Sequence, residues 1–192
     1  MKIDNACVYG LDDSIRAAKF PMSVDTGALT TDITHGIKSL AQSEIGAGHD
    51  NWLLGVVVQF DVTATIKWWT EMERYHFADI VSSQSTMHRI SSFNLKESYD
   101  EHTDPRMIAI MQDLQWEYHN NPCVETYLRL LYSNPCGMKL TARMTTNYRQ
   151  LKTIYKQRKT HKLPEWRVFC VWIETLPHSE FIVGDEDDNT GG

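Results

Sequence analysis

Apolar and polar positions change period several times along this chain, and the changes mark its elements. After a turn cluster at 46–51 (GAGHDN), the run WLLGVVVQFDVTATI is rich in Val, Phe and Thr. Its alternating apolar positions Val58, Phe60 and Val62 predict a strand buried on one side. The period then lengthens. In KWWTEMERYHFADIV, residues Trp69, Met72, His76 and Ile80 recur at helical spacing. A polar, turn-rich stretch follows at 84–94, QSTMHRISSFN. DPRMIAIMQDLQWEYHNN predicts a helix with Asp104 as N-cap and Pro105 in its first position. VETYLRLLYSN predicts another, stopped near Asn134-Pro135. MTTNYRQLKTIYKQRKTH reads as a long basic helix, and PEWRVFCVWIETL as a last one opened by Pro164. Ahead of the turn cluster the pattern is mixed, with one short helix expected in IDNACVYGLDDSIRAAKF and another in TGALTTDITHGIKSLAQS. The total is helix-rich with one or a few strands in the first half, an α+β class. It is organised as one domain over residues 1–183. The acidic, Gly-ended tail GDEDDNTGG at 184–192 is expected to be disordered.

Composition narrows the class without naming a chemistry. With 192 residues, 42% hydrophobic and 23% charged, the chain can bury a stable core. A net charge of -6 argues against a general nucleic-acid coat. The longest apolar run, LLGVVV, is far short of the ~20 residues a membrane helix needs, so no membrane partner is expected. MKIDNACVYG lacks the apolar core of a secretory signal, which points to a cytoplasmic protein. Cys7, Cys123, Cys136 and Cys170 are widely spaced and read as free thiols. No metal site is expected. Glu73 and His76 have the i, i+3 spacing of half a di-iron carboxylate site, but the second Glu-x-x-His is missing.

Two segments carry candidate chemistry. On the basic helix, Asn147, Leu151, Ile154 and Arg158 fall along one face, with Arg149, Lys152, Lys156, Lys159 and Lys162 around it. Such a concentration of cations in an acidic protein suits a phosphate-bearing ligand. For the charges alone, a solvated helix is the simpler reading. His88 and Arg89, with the serines and Asn94 behind them, form a second polar group. Taken alone, a His-Arg pair after a helix is more often surface or capping. The tryptophans at 68, 69, 116, 166 and 172 read as core or subunit contacts. No Ser-His-Asp arrangement or Gly-rich phosphate loop is identifiable.

Taken in order, these segments resemble the flavin-dependent thymidylate synthases, the ThyX family. The family signature is Gln, two residues, Arg-His-Arg, then Ser and Asn at fixed offsets. QSTMHRISSFN matches it at Gln84, His88, Arg89, Ser92 and Asn94. A second block, Asn-x-Arg-x-Leu with an Arg eleven residues after the Asn and a later Glu-x-Arg, is met by Asn147, Arg149, Leu151, Arg158, Glu165 and Arg167. A third, a Gly-His-acid stretch before a strand ending Phe-x-Val, is met by GHDNWLLGVVVQFDV, with His49, Asp50 and Phe60. Pro135, twelve residues before Asn147, falls where the family has Leu-Pro. The resemblance spans roughly residues 48–167.

The resemblance implies a mixed domain with a central antiparallel sheet flanked by helices, assembled as a homotetramer with sites at subunit junctions. It implies methylation at C5 of a uracil nucleotide, dUMP to dTMP, using FAD, NADPH and methylenetetrahydrofolate. Arg158 would face the uracil carbonyl and N3, stabilising the negative charge that develops when hydride adds to the ring. Gln84 would hydrogen-bond the nucleotide from a neighbouring subunit. His88, Arg89, Asn147 and Arg149 would hold the flavin and its phosphates, with His49, Asn51 and Thr153 at the same cofactor. The chain departs from the pattern at Met87, where the family has the first Arg of Arg-His-Arg, and at Leu95 and Glu97, in place of an acid and a Ser. It departs again at Tyr99 and Leu131, which replace phosphate-contacting arginines, with Arg129 nearby as a substitute. Each charge-assisted bond lost there is worth about 1.5–3 kcal/mol. The alternative expectation is therefore a flavin- or nucleotide-binding protein of this fold without the reaction, or a relative acting on another pyrimidine nucleotide.

Overall fold

A four-stranded antiparallel sheet, ordered β1-β2-β4-β3, is the frame of the computed structural model, which describes residues 1–184. Its strands are β1 (Lys2–Tyr9), β2 (Val57–Thr65), β3 (Asp79–Ser83) and β4 (Lys139–Asn147). The central pair β2 and β4 runs in unbroken register from Val57↔Asn147 to Thr65↔Lys139. Alternation then divides the sheet. Val58, Phe60, Val62 and Ala64 of β2 and Ala142, Met144 and Thr146 of β4 are buried on one face. The opposite face is polar: Asp61 pairs with Arg143 at 3.2 Å, and the Thr63 and Thr141 hydroxyls lie 2.8 Å apart. Of the expected acidic tail, 185–192 lies outside the described residues.

The buried face is covered by α3 (Ile66–Met72), α7 (Tyr148–Arg158) and α8 (Pro164–Glu174). Trp68 and Trp69 come from α3, Tyr148, Leu151 and Ile154 from α7, and Trp166, Phe169 and Ile173 from α8. Rings meet at 5.0 Å between Trp68 and Trp166 and at 4.5 Å between Phe60 and Trp172. Two N-terminal helices, α1 (Leu11–Ala18) and α2 (His35–Gln42), and the short α9 (Glu180–Val183) close this core through Ile15, Ile37, Ala41 and Phe181. A second apolar cluster forms away from it. Ile90, Leu95, Tyr99, Met111, Leu130 and Met138 gather where α4 (Thr86–Arg89), α5 (Pro105–Asn120) and α6 (Val124–Tyr132) meet. Asp104 caps α5 as expected, its carboxylate accepting from the Arg106 N–H at 2.9 Å. No helix among the described residues is long and apolar enough to cross a membrane.

The α+β class holds, while three element assignments change. The short helix expected within residues 3–20 is α1, but residues 2–9 ahead of it, where no strand was expected, form edge strand β1. β1 carries a bulge with Asn5 at φ 51, which erases the period-two signal. The helix expected through Val81 ends at Met72, and 79–83 form edge strand β3. All five β3 side chains are exposed, so burial imposed no alternation on its sequence. The helix expected to start at Met144 starts at Tyr148, because 144–147 complete β4. There Met144 and Thr146 point into the core and Thr145 away from it, a period of two that the following helix obscures. Trp68, Trp69 and Trp166 are core residues and Trp172 packs against them, whereas Trp116 stands exposed.

One buried charge cluster fixes α7 to this frame. Asp50, inaccessible to solvent, accepts from Lys152 Nζ at 3.0 Å and Arg149 Nε at 3.1 Å. Lys152, also buried, donates to the Ala41 and Ser43 carbonyls at 2.7 and 2.6 Å. Asp50→Ala would strand the Lys152 ammonium among carbonyls, and breaking such a pair costs about 3–5 kcal/mol. Urea unfolding followed by tryptophan fluorescence should show a loss of that order. A change below about 1 kcal/mol would mean solvent replaces the carboxylate freely.

Candidate functional site

α7 grows directly out of β4, and the junction residue Asn147 serves both. Its backbone is extended, and its Oδ1 accepts from the Gln150 N–H at 2.9 Å, capping the helix. One turn on, the Arg149 guanidinium is tethered through Nε to Asp50, while no described residue takes its Nη atoms. Thr153 donates its hydroxyl to the Arg149 carbonyl at 3.3 Å. Exposed His49 and Asn51 flank Asp50 in the chain. The preceding Gly48 has φ +84, a conformation L side chains avoid, so the turn delivering them requires glycine. Asp50 thus ties the turn that carries His49 and Asn51 to Arg149, while Asn147, Arg149 and Thr153 follow one another from the start of α7. The two Nη groups of Arg149, without a described partner, suit the phosphates of a dinucleotide such as FAD.

Arg158 ends the helix in a denser network. Its Nε donates to the Tyr75 hydroxyl at 2.8 Å and its Nη1 to Glu71 Oε2 at 3.0 Å, with His161 Nε2 2.9 Å from the same Nη1. Tyr75 donates onward to Gln157 Oε1 at 2.9 Å. The guanidinium lies over Trp166, 4.6 Å from the ring centroid. Its side chain is 15% exposed, and no described residue takes Nη2. Burial would raise the Glu71 carboxyl, but hydrogen bonds from Lys67 and Trp166 and the charges of Lys67 and Arg158 hold it below the ordinary glutamate value.

Between α7 and the turn after α3 lies a cavity of about 330 Å³. Gln150, Thr153, Gln157 and Arg158 line it from the helix, and Arg74 and His76 from the turn. The Arg74 side chain is exposed and has no partner among the described residues. The cavity therefore holds two unlike arginines, one paired with a carboxylate and one free. Glu71, Arg74, His76, Gln150 and Gln157 were missed in the sequence, although a signal exists. Glu71-Met72-Glu73-Arg74-Tyr75-His76 repeats the Gln-x-x-Arg-His-Arg spacing with Glu, Tyr and His substituted. The helical period from Trp69 to Ile80 disguised it.

The other expected site residues are elsewhere. Gln84 is occupied as sheet edge: its Oε1 accepts from the Thr141 N–H and its own N–H donates to the Thr141 carbonyl, both at 2.9 Å. His88 and Arg89 are exposed on α4, and Arg129 on α6 pairs with Glu117 at 2.6 Å. Among the described residues, no hydrogen bond or ion pair joins these four to the α7 group. Leu95 and Tyr99 are core residues of the second cluster, at 2% and 5% exposure, and Leu131 packs against it. Tyr99 donates to Asn134 Oδ1 at 2.7 Å, and burial pushes its phenol up to about 12. Met87 and Glu97 are exposed. No group of three or more His, Cys, Asp or Glu among the described residues could hold a metal.

The chain matches no protein-family model and no curated protein sequence. Solved structures do match it. The flavin-dependent thymidylate synthase ThyX of Helicobacter pylori complexed with FAD and dUMP is 17% identical, with a TM-score of 0.69, covering 97% of this chain and 99% of that one. A second ThyX structure from that organism, with FAD and dUMP, reaches a TM-score of 0.74 at 16% identity over the whole of both chains. A UMP/dUMP methylase, PolB of Streptomyces cacaoi bound with 5-Br dUMP, has a TM-score of 0.67 at 13% identity, covering 91% of this chain and 88% of that one. The chain has the fold of the flavin-dependent thymidylate synthases.

The lowered Glu71 value makes a pH dependence. A carboxylate whose value is depressed by folding adds stability above its unfolded value, about 4.3, and that stability is lost as pH falls through the folded value. Glu71→Gln should therefore destabilise the protein at about pH 7, and the difference should shrink as pH falls below about 4.3 toward the folded value. Denaturation midpoints that differ equally across that range would exclude the ionised network as the cause.

Proposed function

We propose that the protein is a flavin-dependent methyltransferase acting at C5 of a uracil nucleotide, dUMP in the first instance. FAD is its cofactor, and NADPH and methylenetetrahydrofolate are its co-substrates. The observation that carries this reading is the pair of unlike arginines at one cavity on α7, within a fold shared with proteins whose structures hold FAD and dUMP. A bound flavin would supply the redox and one-carbon handling that no side chain provides. The chain's own residues bind, orient and polarise.

Arg158 is the catalytic residue of this reading. Its charge is partly offset by Glu71, which weakens its pull on an anionic phosphate. A neutral carbonyl gains more, because a fixed donor strengthens as negative charge develops on its oxygen. Arg74, unpaired, is the better phosphate contact, supplying the charge that Leu131 and Tyr99 do not. Arg149, His49, Asn51, Asn147 and Thr153 hold the cofactor. Gln84 and Arg129 as nucleotide contacts, and His88 and Arg89 as flavin contacts, complete the site only from another subunit. That is the ground for proposing a homotetramer. Exposed Phe77, Ile80, Val81 and Met87 around β3 and α4 suit such a junction. The protein works in the cytoplasm on a free nucleotide.

One observation favours a second reading, a nucleotide-binding protein of this fold without turnover. Leu95 and Tyr99 are committed to the core, so compensation rests on residues outside the matched motif.

Titration with FAD should quench flavin fluorescence, and sedimentation should give a tetramer; a monomer blind to FAD would end the reading. Methyl transfer assayed with dUMP, UMP and dCMP separates the two functions. Arg158→Lys should keep FAD bound while turnover falls by a factor of about 10². Arg74→Ala should weaken dUMP binding by a factor of about 10–10² and leave deoxyuridine binding nearly unchanged. Equal losses for both ligands would remove Arg74 from the phosphate.

A further inference from the structure

We propose that Glu71 is a positioning residue that presets the Arg158 guanidinium for its ligand. The proposal rests on the reading of the α7 cavity as a nucleotide site and names what holds its central donor. Glu71 lies on α3, a different element from Arg158, so it fixes the guanidinium from outside α7. Both its oxygens are engaged. Oε1 takes Lys67 at 3.1 Å, and Oε2 takes Arg158 Nη1 at 3.0 Å and Trp166 Nε1 at 2.9 Å. By contrast, the buried indole N–H groups of Trp52 and Trp68 have no partner among the described residues. Trp166 is the tryptophan that lies beneath the Arg158 guanidinium, so one carboxylate oxygen orients both the cation and its aromatic floor.

The consequence is geometric. Tyr75 holds Nε, Glu71 holds Nη1, and the Trp166 ring occupies one face of the plane. Rotation about any bond near the guanidinium breaks at least one of these contacts. Arginine's rotamer freedom is thereby settled on folding rather than when the ligand arrives. Nη2, without a described partner, remains as the donor for an acceptor in the cavity. The carboxylate, shared with Lys67, also lowers the positive potential that would otherwise draw a phosphate to Arg158. Glu71 thus directs the neutral ring to Arg158 and leaves the anion to Arg74, which has no such partner.

The test is a double-mutant cycle read by calorimetry of dUMP binding to the FAD-loaded protein, with Glu71→Ala, Arg158→Ala and the double variant. A residue acting through Arg158 weakens dUMP binding about tenfold in the wild-type background and leaves it unchanged in the Arg158→Ala background. Glu71→Gln, which keeps shape and one acceptor, should recover part of the loss and guards against Glu71→Ala failing to fold. Inorganic phosphate should bind more tightly to the Glu71 variants than to the wild type. Equal dUMP losses in both backgrounds would make Glu71 merely structural and overturn the proposal. A loss with Arg158→Ala but none with Glu71→Ala or Glu71→Gln would overturn it while sparing the nucleotide site. No loss with Arg158→Ala would sink the nucleotide reading itself.

Discussion

Helix α7 is held at both ends by carboxylates that belong to other elements. Asp50, from the turn before β2, takes Arg149 and Lys152 near its start; Glu71, from α3, takes Arg158 at its end. Between them Leu151 and Ile154 face the core without exposure. Charges can sit that close to an apolar core only when paired and hydrogen-bonded. The pairing therefore sets more than stability. It sets where the free donors of Arg149 and Arg158 emerge, and with them the spacing between the proposed cofactor and substrate contacts on one rigid element.

The sheet supplies the other half of that constraint. Asn147 is at once the last residue of β4 and the cap of α7, so the helix has no connecting loop to flex about. β2 and β4 stay in register over their whole length, and the helix inherits its entry angle from that ladder. The turn bearing Arg74 and His76 bridges α3 to β3, which pairs with the same β4. Both walls of the cavity are thus hung on one strand. The second apolar cluster, near His88, Arg89 and Arg129, is built from different helices and brings no donor to α7 among the described residues. The proposed site would take those residues from another copy of the chain, which is the physical ground for proposing that it is shared.

Much was legible in the sequence where burial wrote a period into it. β2 alternates because one face is packed under aromatic helices; α5 carries its cap and proline, and α8 its proline, in plain view. β3 carried no such record because all its side chains are exposed, and in β1, where Ile3 and Val8 do pack on the core, the bulge between Asp4 and Cys7 breaks the period. The same silence hid half of the site. Arg158 and Asn147 share one helix face, and the family resemblance singled them out there. Glu71 and Arg74 were not singled out, since they become neighbours of Arg158 only when α3 and α7 pack across the sheet.

By itself, then, the sequence determined the class of fold, the helix bearing the cations and the motif order that resembles one enzyme family. These are local properties: propensity, capping and spacing along a single element. Tertiary structure alone decided which cations are neutralised and which are free. Asp50 and Glu71 lie 99 and 87 residues from the arginines they hold. A pairing at that separation leaves no periodic trace, because it is made by the packing of elements and not by the course of the chain.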